Sequence, residues 1–278
     1  MQNFTAKTEL IDYLKKIVKE KTIGFVPTMG GLHEGHLELI KQSKRECNTT
    51  ICSIFVNPTQ FNNAKDFANY PKTLEADLEQ LEQLGCDIVY TPTTTDVYQQ
   101  SEKSKVFDFG SLAASMEGKF RPGHFNGMAT VVEKFFNIIN PTLAFFGQKD
   151  LQQLQIVKAL VKQMNSPIKI VGVPTIREEN GLAKSSRNKL LAKQAKKEAA
   201  LIYNCLYYCK KNKEKGISEL KSYIQNQFEQ HRNFKLEYAE IVVLNTMRPA
   251  EEWEGENKNA ICIAAYHSGV RLIDNIIL

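Results

Sequence analysis

The stretch that decides the fold runs from Thr22 to His36 and reads TIGFVPTMGGLHEGH. Its first seven residues form an apolar run of strand length, and its end leads into the amphipathic stretch EGHLELIKQSKREC (34–47). A continuous apolar strand is typical of a parallel sheet, because helices cover both faces of such a sheet. The stretch therefore predicts a strand, a glycine-containing loop and a helix in immediate succession.

The same alternation continues along the chain. Further apolar runs of strand length are TTICSIFVN (49–57), DIVYTP (87–92), TLAFFG (142–147) and IKIVGVP (168–174). Helical patterns separate them at LEADLEQLEQLG (74–85), GMATVVEKFFNIIN (127–140) and LQQLQIVKALVKQMN (151–165). Strands that alternate with helices in this way predict an α/β domain with a Rossmann-like, doubly wound parallel sheet.

The composition and the pattern of apolar residues change after Pro174. A polar loop and two helical stretches rich in Lys and Glu precede three short apolar runs, LEYAEIVVL (236–244), NAICIAAY (259–266) and VRLIDNII (270–277). This order predicts a smaller α+β unit. We place the domains at residues 1–185 and 186–278.

Composition limits the classes of protein to consider. The 278 residues are 42% hydrophobic and 24% charged, which is typical of a folded globular chain. We find neither an apolar run of membrane-spanning length nor a signal peptide, and we expect a cytoplasmic protein without a membrane partner. The six cysteines form no CxxC pair and no zinc-ligand spacing, so we expect reduced thiols.

The net charge of +5 is concentrated between residues 184 and 215, which include ten Lys and Arg residues but only two Glu residues. Such a run can contact nucleic acid or an anionic substrate, but it is more often the solvated face of a helix. We favour the solvated face beyond Arg187 and expect no nucleic-acid partner.

The loop between the first strand and its helix has the chemistry of an anion site. It lies at the carboxyl end of a strand, where open α/β sheets bind ligands. Gly30 and Gly31 permit close approach of the backbone, and the N–H groups at the helix start attract an anion. His33 and His36 can donate hydrogen bonds to phosphate oxygens. The pattern is HxGH, and it matches neither the dinucleotide fingerprint nor the Walker loop.

This loop and five further blocks resemble the pantothenate synthetases (pantoate–β-alanine ligases). That family belongs to the HxGH nucleotidyltransferases, whose core is related to class I aminoacyl-tRNA synthetases. The further blocks are FVNPTQF (55–61), YPKTLEADL (70–78), MEGKFRPGHFNGMATVV (116–132), FFGQKDLQQL (145–154) and GLAKSSRN (181–188). The resemblance implies that ATP and pantoate form a pantoyl adenylate, which β-alanine then converts to pantothenate with release of AMP.

The resemblance also implies which residues bind ATP. The catalytic set would contact the phosphates and comprises His33, His36, Lys149, Ser185, Ser186 and Arg187. The remaining ATP-binding positions would be Pro27, Thr28, Met29, Gly30, Gly35, Gly147, Asp150, Val173, Pro174, Ile176 and Lys184. Among them, Gly147 and Asp150 correspond to the positions that bind ribose. Lys184 departs from the family, which more often has an apolar residue there.

Pantoate, magnesium and the subunit contact complete these expectations. The positions that match pantoate-binding residues are Gln60, Gln153, Asn57 and Met29, although an Asn before Pro is also a common turn residue. Asp77 is the candidate ligand for Mg²⁺, and its alternative is an ordinary helix carboxylate. The family implies a homodimer, and it places Glu117, Arg121 and His124 near the active site and the subunit contact. His124 is equally a candidate for a packed residue at a helix start.

Two other functions remain open at this point. One is a nucleotidyltransferase with a phosphorylated acceptor, which favours Arg or Lys at the positions of Gln60 and Gln153. The other is an RNA-binding or tRNA-charging fragment, which favours aromatic residues interleaved with basic ones. The segment 177–188 corresponds in position to the KMSKS loop of the synthetases, so we expect a lid that closes on the triphosphate.

Overall fold

The computed structural model of the chain describes residues 1–17, 22–61, 67–68, 70–99 and 102–278. Its larger sheet has six parallel strands, β1 (Gln2–Phe4), β2 (Ile23–Thr28), β3 (Thr49–Ile54), β4 (Ile88–Tyr90), β5 (Leu143–Gly147) and β6 (Lys169–Val173). The predicted doubly wound α/β fold is confirmed. Strand β1 was not predicted, because it is three residues long and lacks an apolar run.

Helices cover both faces of this sheet. They are α1 (Lys7–Ile17), α2 (Glu34–Glu46), α3 (Leu74–Gln83), α4 (Thr94–Val97), α5 (Met116–Phe120), α6 (His124–Ile139) and α7 (Leu151–Gln163). Short 3₁₀ turns include Pro58–Gln60, Gln148–Asp150 and Ser186–Leu190. The most deeply buried of the helices is α6, whose phenylalanines Phe135 and Phe136 pack edge-on against Phe25 of β2.

The strand order determines where a ligand can bind. The sheet runs β1-β4-β3-β2-β5-β6, so the direction of winding reverses between β2 and β5. The loops that leave these two neighbouring strands turn away from each other and open a crevice at their carboxyl ends. The loop after β2 contains His33 and the turn after β5 contains Lys149, so the topology brings these two segments together.

The smaller unit has three helices and an antiparallel sheet in the order β7-β8-β9. Its elements are α8 (Lys193–Glu198), α9 (Ala200–Lys211), α10 (Ile217–Gln230), β7 (Phe234–Val243), β8 (Asn259–His267) and β9 (Val270–Ile277). Strand β8 is buried on both faces: Ile261 and Ile263 pack in the core that contains α9 and α10, whereas Cys262 packs in the core of the larger unit. This double burial explains why β8 is a continuous apolar run.

None of the helices in the described part of the chain combines the length and apolar content that a bilayer crossing requires. All six cysteines are free, and five of them are buried. Cys205 and Cys209 lie in the core of the smaller unit, where burial raises the pKa of each thiol to about 12. They act there as small apolar side chains.

Candidate active site

The loop after β2 is held by a single buried carboxylate. Asp77 of α3 is 1% exposed and accepts hydrogen bonds from the backbone N–H groups of Gly31 at 2.9 Å and Leu32 at 2.8 Å. Gly30 has a φ of +78°, and a Cβ there would lie 3.0 Å from the Asp77 carboxylate. A glycine is therefore needed both for the left-handed conformation and for the close approach.

The rings of the two histidines of the loop lie against each other in a tilted arrangement, with centroids 4.1 Å apart and an angle of 40° between the ring planes. His33 caps α2, because its Nδ1 accepts the N–H of Gly35 at 3.1 Å. Nε2 of His33 therefore carries the proton and is the donor that remains. A Cβ on Gly35 would lie 2.9 Å from the His33 ring, which explains the glycine in the HxGH pattern.

Both histidines are neutral at physiological pH. Burial, followed by the positive charge of Lys149, lowers the pKa of His33 to about 4. Burial is also the main cause for His36, with further contributions from His33 and Lys149, and lowers its pKa to about 3. Nδ1 of His36 is buried without a hydrogen-bond partner among the described residues. The site thus presents neutral imidazoles that can donate a hydrogen bond without carrying a charge.

The turn after β5 contributes Lys149 and Asp150. The Lys149 ammonium is largely shielded from solvent and lies 3.8 Å from the Asp150 carboxylate, whose side chain is about half exposed. Helix α7 begins directly afterwards, so Gln153 lies in its first turn and faces the same crevice. A cation and an amide are therefore placed one helical turn apart at the end of β5.

The NPTQ turn is fixed by buried hydrogen bonds. Asn57 donates Nδ2 to the Gly127 carbonyl at 3.0 Å, and its Oδ1 accepts from Tyr98 at 2.8 Å. His124 places Nδ1 3.0 Å from the carbonyl of Gln60, and burial lowers the pKa of His124 to about 4. Since the neighbours of Asn57 already use most of its hydrogen-bonding capacity, the geometry gives it mainly a structural role. Its predicted contact with pantoate stays a prediction.

The segment after β6 forms the opposite wall. Arg177 and Ala183 pair as an isolated bridge, and Ser185 caps the following 3₁₀ turn by accepting the N–H of Arg187 at 3.3 Å. Lys184 forms ion pairs with Glu34 at 3.2 Å and Glu178 at 2.8 Å. The extra cation predicted beside the phosphate-binding serines is thus neutralised by two carboxylates, one of them at the start of α2.

These segments enclose a cleft of about 210 Å³. Most residues of the predicted site line it: Pro27, Thr28, Met29, His33, Gly35, His36, Asn57, Gln60, Gly147, Lys149, Asp150, Gln153, Pro174, Ile176, Lys184, Ser185, Ser186 and Arg187. A neighbouring cavity of about 330 Å³ between the two units shares Arg121, Lys149 and Arg187 with the cleft. The cleft therefore continues into the contact between the units.

Three residues of the predicted site lie behind this surface. Gly30 and Val173 are buried and do not line the cleft. Asp77 is buried as well, and both of its carboxylate oxygens accept backbone N–H groups; its role as a magnesium ligand stays a prediction. No cluster of three or more His, Cys, Asp or Glu side chains suited to a metal ion is found among the described residues.

The comparisons with known proteins agree on one family. The family model "Pantoate-beta-alanine ligase" matches residues 2–277. The chain is 45% identical to the pantothenate synthetase of Christiangramia forsetii over 100% of this chain and 99% of that protein. It is 46% identical to the enzyme of Flavobacterium psychrophilum, with 99% of each chain covered. The chain belongs to the pantoate–β-alanine ligase family.

Solved structures of the family have the same fold. The pantothenate synthetase of Thermus thermophilus superimposes with a TM-score of 0.93 at 36% identity, covering 100% of this chain and 99% of the other. The ligase of Francisella tularensis, complexed with beta-gamma ATP and β-alanine, gives a TM-score of 0.83 at 36% identity, covering 100% and 97%. The predicted family and its ligase class are therefore confirmed.

Glu117 joins the two units of this ligase. The Glu117 carboxylate accepts two hydrogen bonds from Arg271, at 2.9 and 2.6 Å, and one from Tyr238 at 2.8 Å. Burial opposes its charge, but the Arg271 contacts outweigh burial and lower the pKa of Glu117 to about 2. Arg121 lies 3.4 Å from the same carboxylate. Arg271 and Tyr238 were not predicted, because no local pattern links them to a residue more than 100 positions away.

Proposed function

We propose that this chain condenses pantoate with β-alanine at the expense of ATP, through a pantoyl adenylate. The observation that carries the proposal is the composition of the cleft. Its lining combines two neutral histidines, Lys149 and the Ser185–Arg187 segment with the neutral amides of Gln60 and Gln153. The first group suits a triphosphate, and the two amides suit a hydroxy acid whose carboxylate must stay free to react.

The first step would be adenylation. A carboxylate oxygen of pantoate attacks the α-phosphorus of ATP. The bond from that phosphorus to the oxygen that bridges the α- and β-phosphates breaks, which releases pyrophosphate. Negative charge grows on the leaving group, and the Lys149 ammonium and the N–H of His33 would stabilise it. Neutral imidazoles suit this role, since they donate hydrogen bonds without a proton transfer to the phosphate.

The second step would form the amide. The amine of β-alanine attacks the carbonyl carbon of the adenylate, loses a proton and displaces AMP, which keeps one oxygen of the original pantoate carboxylate. Adenylation replaces an oxide leaving group by AMP, so no nucleophile of the enzyme is required. The task of the protein is then to position the two substrates and exclude water.

We place Mg²⁺ with the substrate. The described residues offer no three-ligand cluster, and Mg²⁺ is commonly bound through nucleotide phosphates, a few carboxylates and water. We therefore propose that the ion enters as Mg-ATP and is held mainly by the phosphates. A homodimer and a cytoplasmic location are further proposals, which rest on the family.

The test is the formation of AMP from Mg-ATP by the purified protein with pantoate and β-alanine together, and with each omitted in turn. We expect catalytic AMP formation only when both are present, because the adenylate stays bound until the amine arrives. AMP formation at the same rate with and without β-alanine would favour a nucleotidyltransferase. Absence of AMP in every arm would contradict the proposal as a whole.

A further inference from the structure

The last strand of the smaller unit reaches the site through two adjacent side chains. Asp274 and Asn275 of β9 are each 4% exposed. Asn275 donates Nδ2 to the backbone carbonyls of Gln148 at 3.0 Å and Lys149 at 2.8 Å. Asp274 accepts a hydrogen bond from Arg177 at 3.0 Å. One strand of the smaller sheet thus contacts both the turn after β5 and the segment after β6.

The Asn275 amide has only one acceptable orientation. Its two N–H hydrogens are directed at two carbonyl oxygens, so a flipped amide would place Oδ1 against the same oxygens and lose both bonds. Oδ1 itself is buried without a partner among the described residues. An unpartnered buried amide oxygen is unfavourable, so the hydrogen bonds that Nδ2 of Asn275 donates must be important enough to retain it.

The Nδ2 group binds the backbone of the 3₁₀ turn Gln148–Asp150. The turn connects the end of β5 with the first residue of α7 and carries the Lys149 side chain into the cleft. Two of its three backbone carbonyls are fixed by a side chain from the other unit. Any shift of these carbonyls would move the Lys149 ammonium, and displacements of about 1 Å can cost a site about 10²-fold in rate.

Asp274 acts in the same way on the segment after β6. Its partner Arg177 also donates to the Gly181 carbonyl at 3.0 Å and lies 4.3 Å from the centre of the Tyr203 ring. These contacts close the turn between Arg177 and Ala183, which leads directly into Lys184 and Ser185. The Asp274 carboxylate therefore anchors the base of the segment that carries Ser185, Ser186 and Arg187.

We propose that Asp274 and Asn275 are positioning residues for ATP, through which the smaller sheet sets the separation between the turn after β5 and the segment after β6. The proposal rests on the proposed function, because it assumes that Lys149 and the Ser185–Arg187 segment hold the triphosphate. Neither residue needs to touch a substrate. Their effect is expected in ATP binding and adenylation, and not in the affinity for β-alanine.

The first test compares Asn275→Ala with Asn259→Ala. Asn259 is a matched control because it is 1% exposed, lies on the neighbouring strand β8 and also bonds to backbone, through the N–H of Glu254 at 2.8 Å, without lining the cleft. We expect Asn275→Ala to lower kcat/KM for ATP by about 10- to 100-fold, the scale seen for outer residues that orient a site. Asn259→Ala should retain the wild-type value while losing a similar amount of thermal stability.

Calorimetric titration with ATP separates this proposal from the reaction itself, since binding needs no turnover. Weaker ATP binding in Asn275→Ala than in Asn259→Ala supports the positioning role, even if the wild-type protein forms no AMP. Equal ATP affinities and equal kcat/KM values in the two variants would overturn it.

The second test uses Asp274→Asn, which keeps the shape of the side chain and removes its charge, and applies if Asn275→Ala does not fold. We expect a raised KM for ATP, an unchanged KM for β-alanine and faster tryptic cleavage after Arg177, because the segment loses its anchor. ATP affinity and a cleavage rate that both equal those of the wild type would contradict the proposal.

Discussion

The two walls of the cleft are built by different means. The loop after β2 is held from inside its own unit by the Asp77 carboxylate, which is 1% exposed and binds two backbone N–H groups. The segment after β6 is held mainly by charged side chains at the surface and from the other unit, such as the Lys184–Glu34 and Arg177–Asp274 pairs. One wall is anchored by buried backbone hydrogen bonds, and the other by ion pairs.

This difference indicates a division of labour. Hydrogen bonds in a buried loop fix donors before the substrate arrives, which is what stabilisation of developing charge requires. The Lys184 ion pairs involve the partly exposed carboxylates of Glu34 and Glu178, and such pairs contribute little free energy each and can be exchanged for water or a ligand. We therefore expect the loop after β2 to be rigid and the part of the segment around Lys184 to open and close, while the Arg177–Asp274 pair, whose carboxylate is buried, holds the base of the segment. The expected lid role of 177–188 stays a prediction.

The largest effect is expected from Asp77→Ala. The substitution leaves the N–H groups of Gly31 and Leu32 buried without an acceptor, which we expect to cost about 3 kcal/mol in the free energy of unfolding. The loop would lose its conformation, so adenylation should fall by about 10³-fold. Urea denaturation and initial rates of AMP formation measure the two effects.

Asp77→Asn is the control for the alternative role in metal binding. The amide keeps one oxygen acceptor, so both losses should be smaller than in the alanine variant. A Mg²⁺ requirement equal to that of the wild type agrees with the structural role. A greatly increased requirement would support the predicted role of Asp77 as a metal ligand.

His36→Ala removes one preorganised donor from the rigid wall. We expect the adenylation rate to fall by about 10²- to 10³-fold, the scale for losing one donor to a developing charge. The fold should be retained, because Asp77 and not His36 holds the loop. Single-turnover formation of the adenylate provides the measurement, and a rate near that of the wild type would remove His36 from the catalytic set.

The pH dependence of stability is the next effect in size. His33, His36 and His124 have pKa values of about 4, 3 and 4 in the folded protein, against 6.5 for an unperturbed histidine. The unfolded chain therefore binds protons first as the pH falls, so the stabilisation present above about pH 6.5 is lost progressively toward pH 4. Glu117, with a pKa of about 2 against 4.5, adds a loss only below about pH 4.5.

Chemical denaturation between pH 4 and pH 8 tests this order. We expect a falling free energy of unfolding below about pH 6.5, with a shallower slope in His124→Gln because one of the three groups is absent. Stability that is flat or rises as the pH falls from 7 to 5 would contradict the neutral state of these histidines.

The smallest effect is expected from Lys184→Met on the opposite wall. Its ion pairs are partly exposed, so stability should change by about 0.5 kcal/mol or less. Loss of the link to Glu34 should raise the KM for ATP by about two- to fivefold, and screening by about 0.5 M salt should reduce the difference. Lys193→Met, an exposed lysine outside the cleft, is the matched control. A change as large as that of His36→Ala would contradict the contrast between the walls.

The sequence predicted the loop after β2 better than the segment after β6. Strand, loop, HxGH pattern and helix follow one another from Ile23 to Glu46, so local periodicity and spacing were sufficient there. The contacts of Glu117 with Arg271 and of Lys149 with Asn275 join residues far apart in sequence. Only the packing of the second unit on the first creates them. The two backbone N–H groups that Asp77 binds were not predicted for the same reason, since the spacing of Asp77 shows only a helix carboxylate.

If the cleft activates a carboxylate at the α-phosphorus of ATP, one oxygen of that carboxylate passes to AMP, and isotope transfer measures this step. Pantoate labelled with ¹⁸O in its carboxylate is converted with unlabelled ATP and β-alanine, and the AMP is analysed by mass spectrometry. We predict one ¹⁸O atom in each AMP, because the attacking oxygen leaves with the phosphate. AMP without the label, formed during pantothenate synthesis, would contradict the adenylate and with it the assigned roles of the two walls.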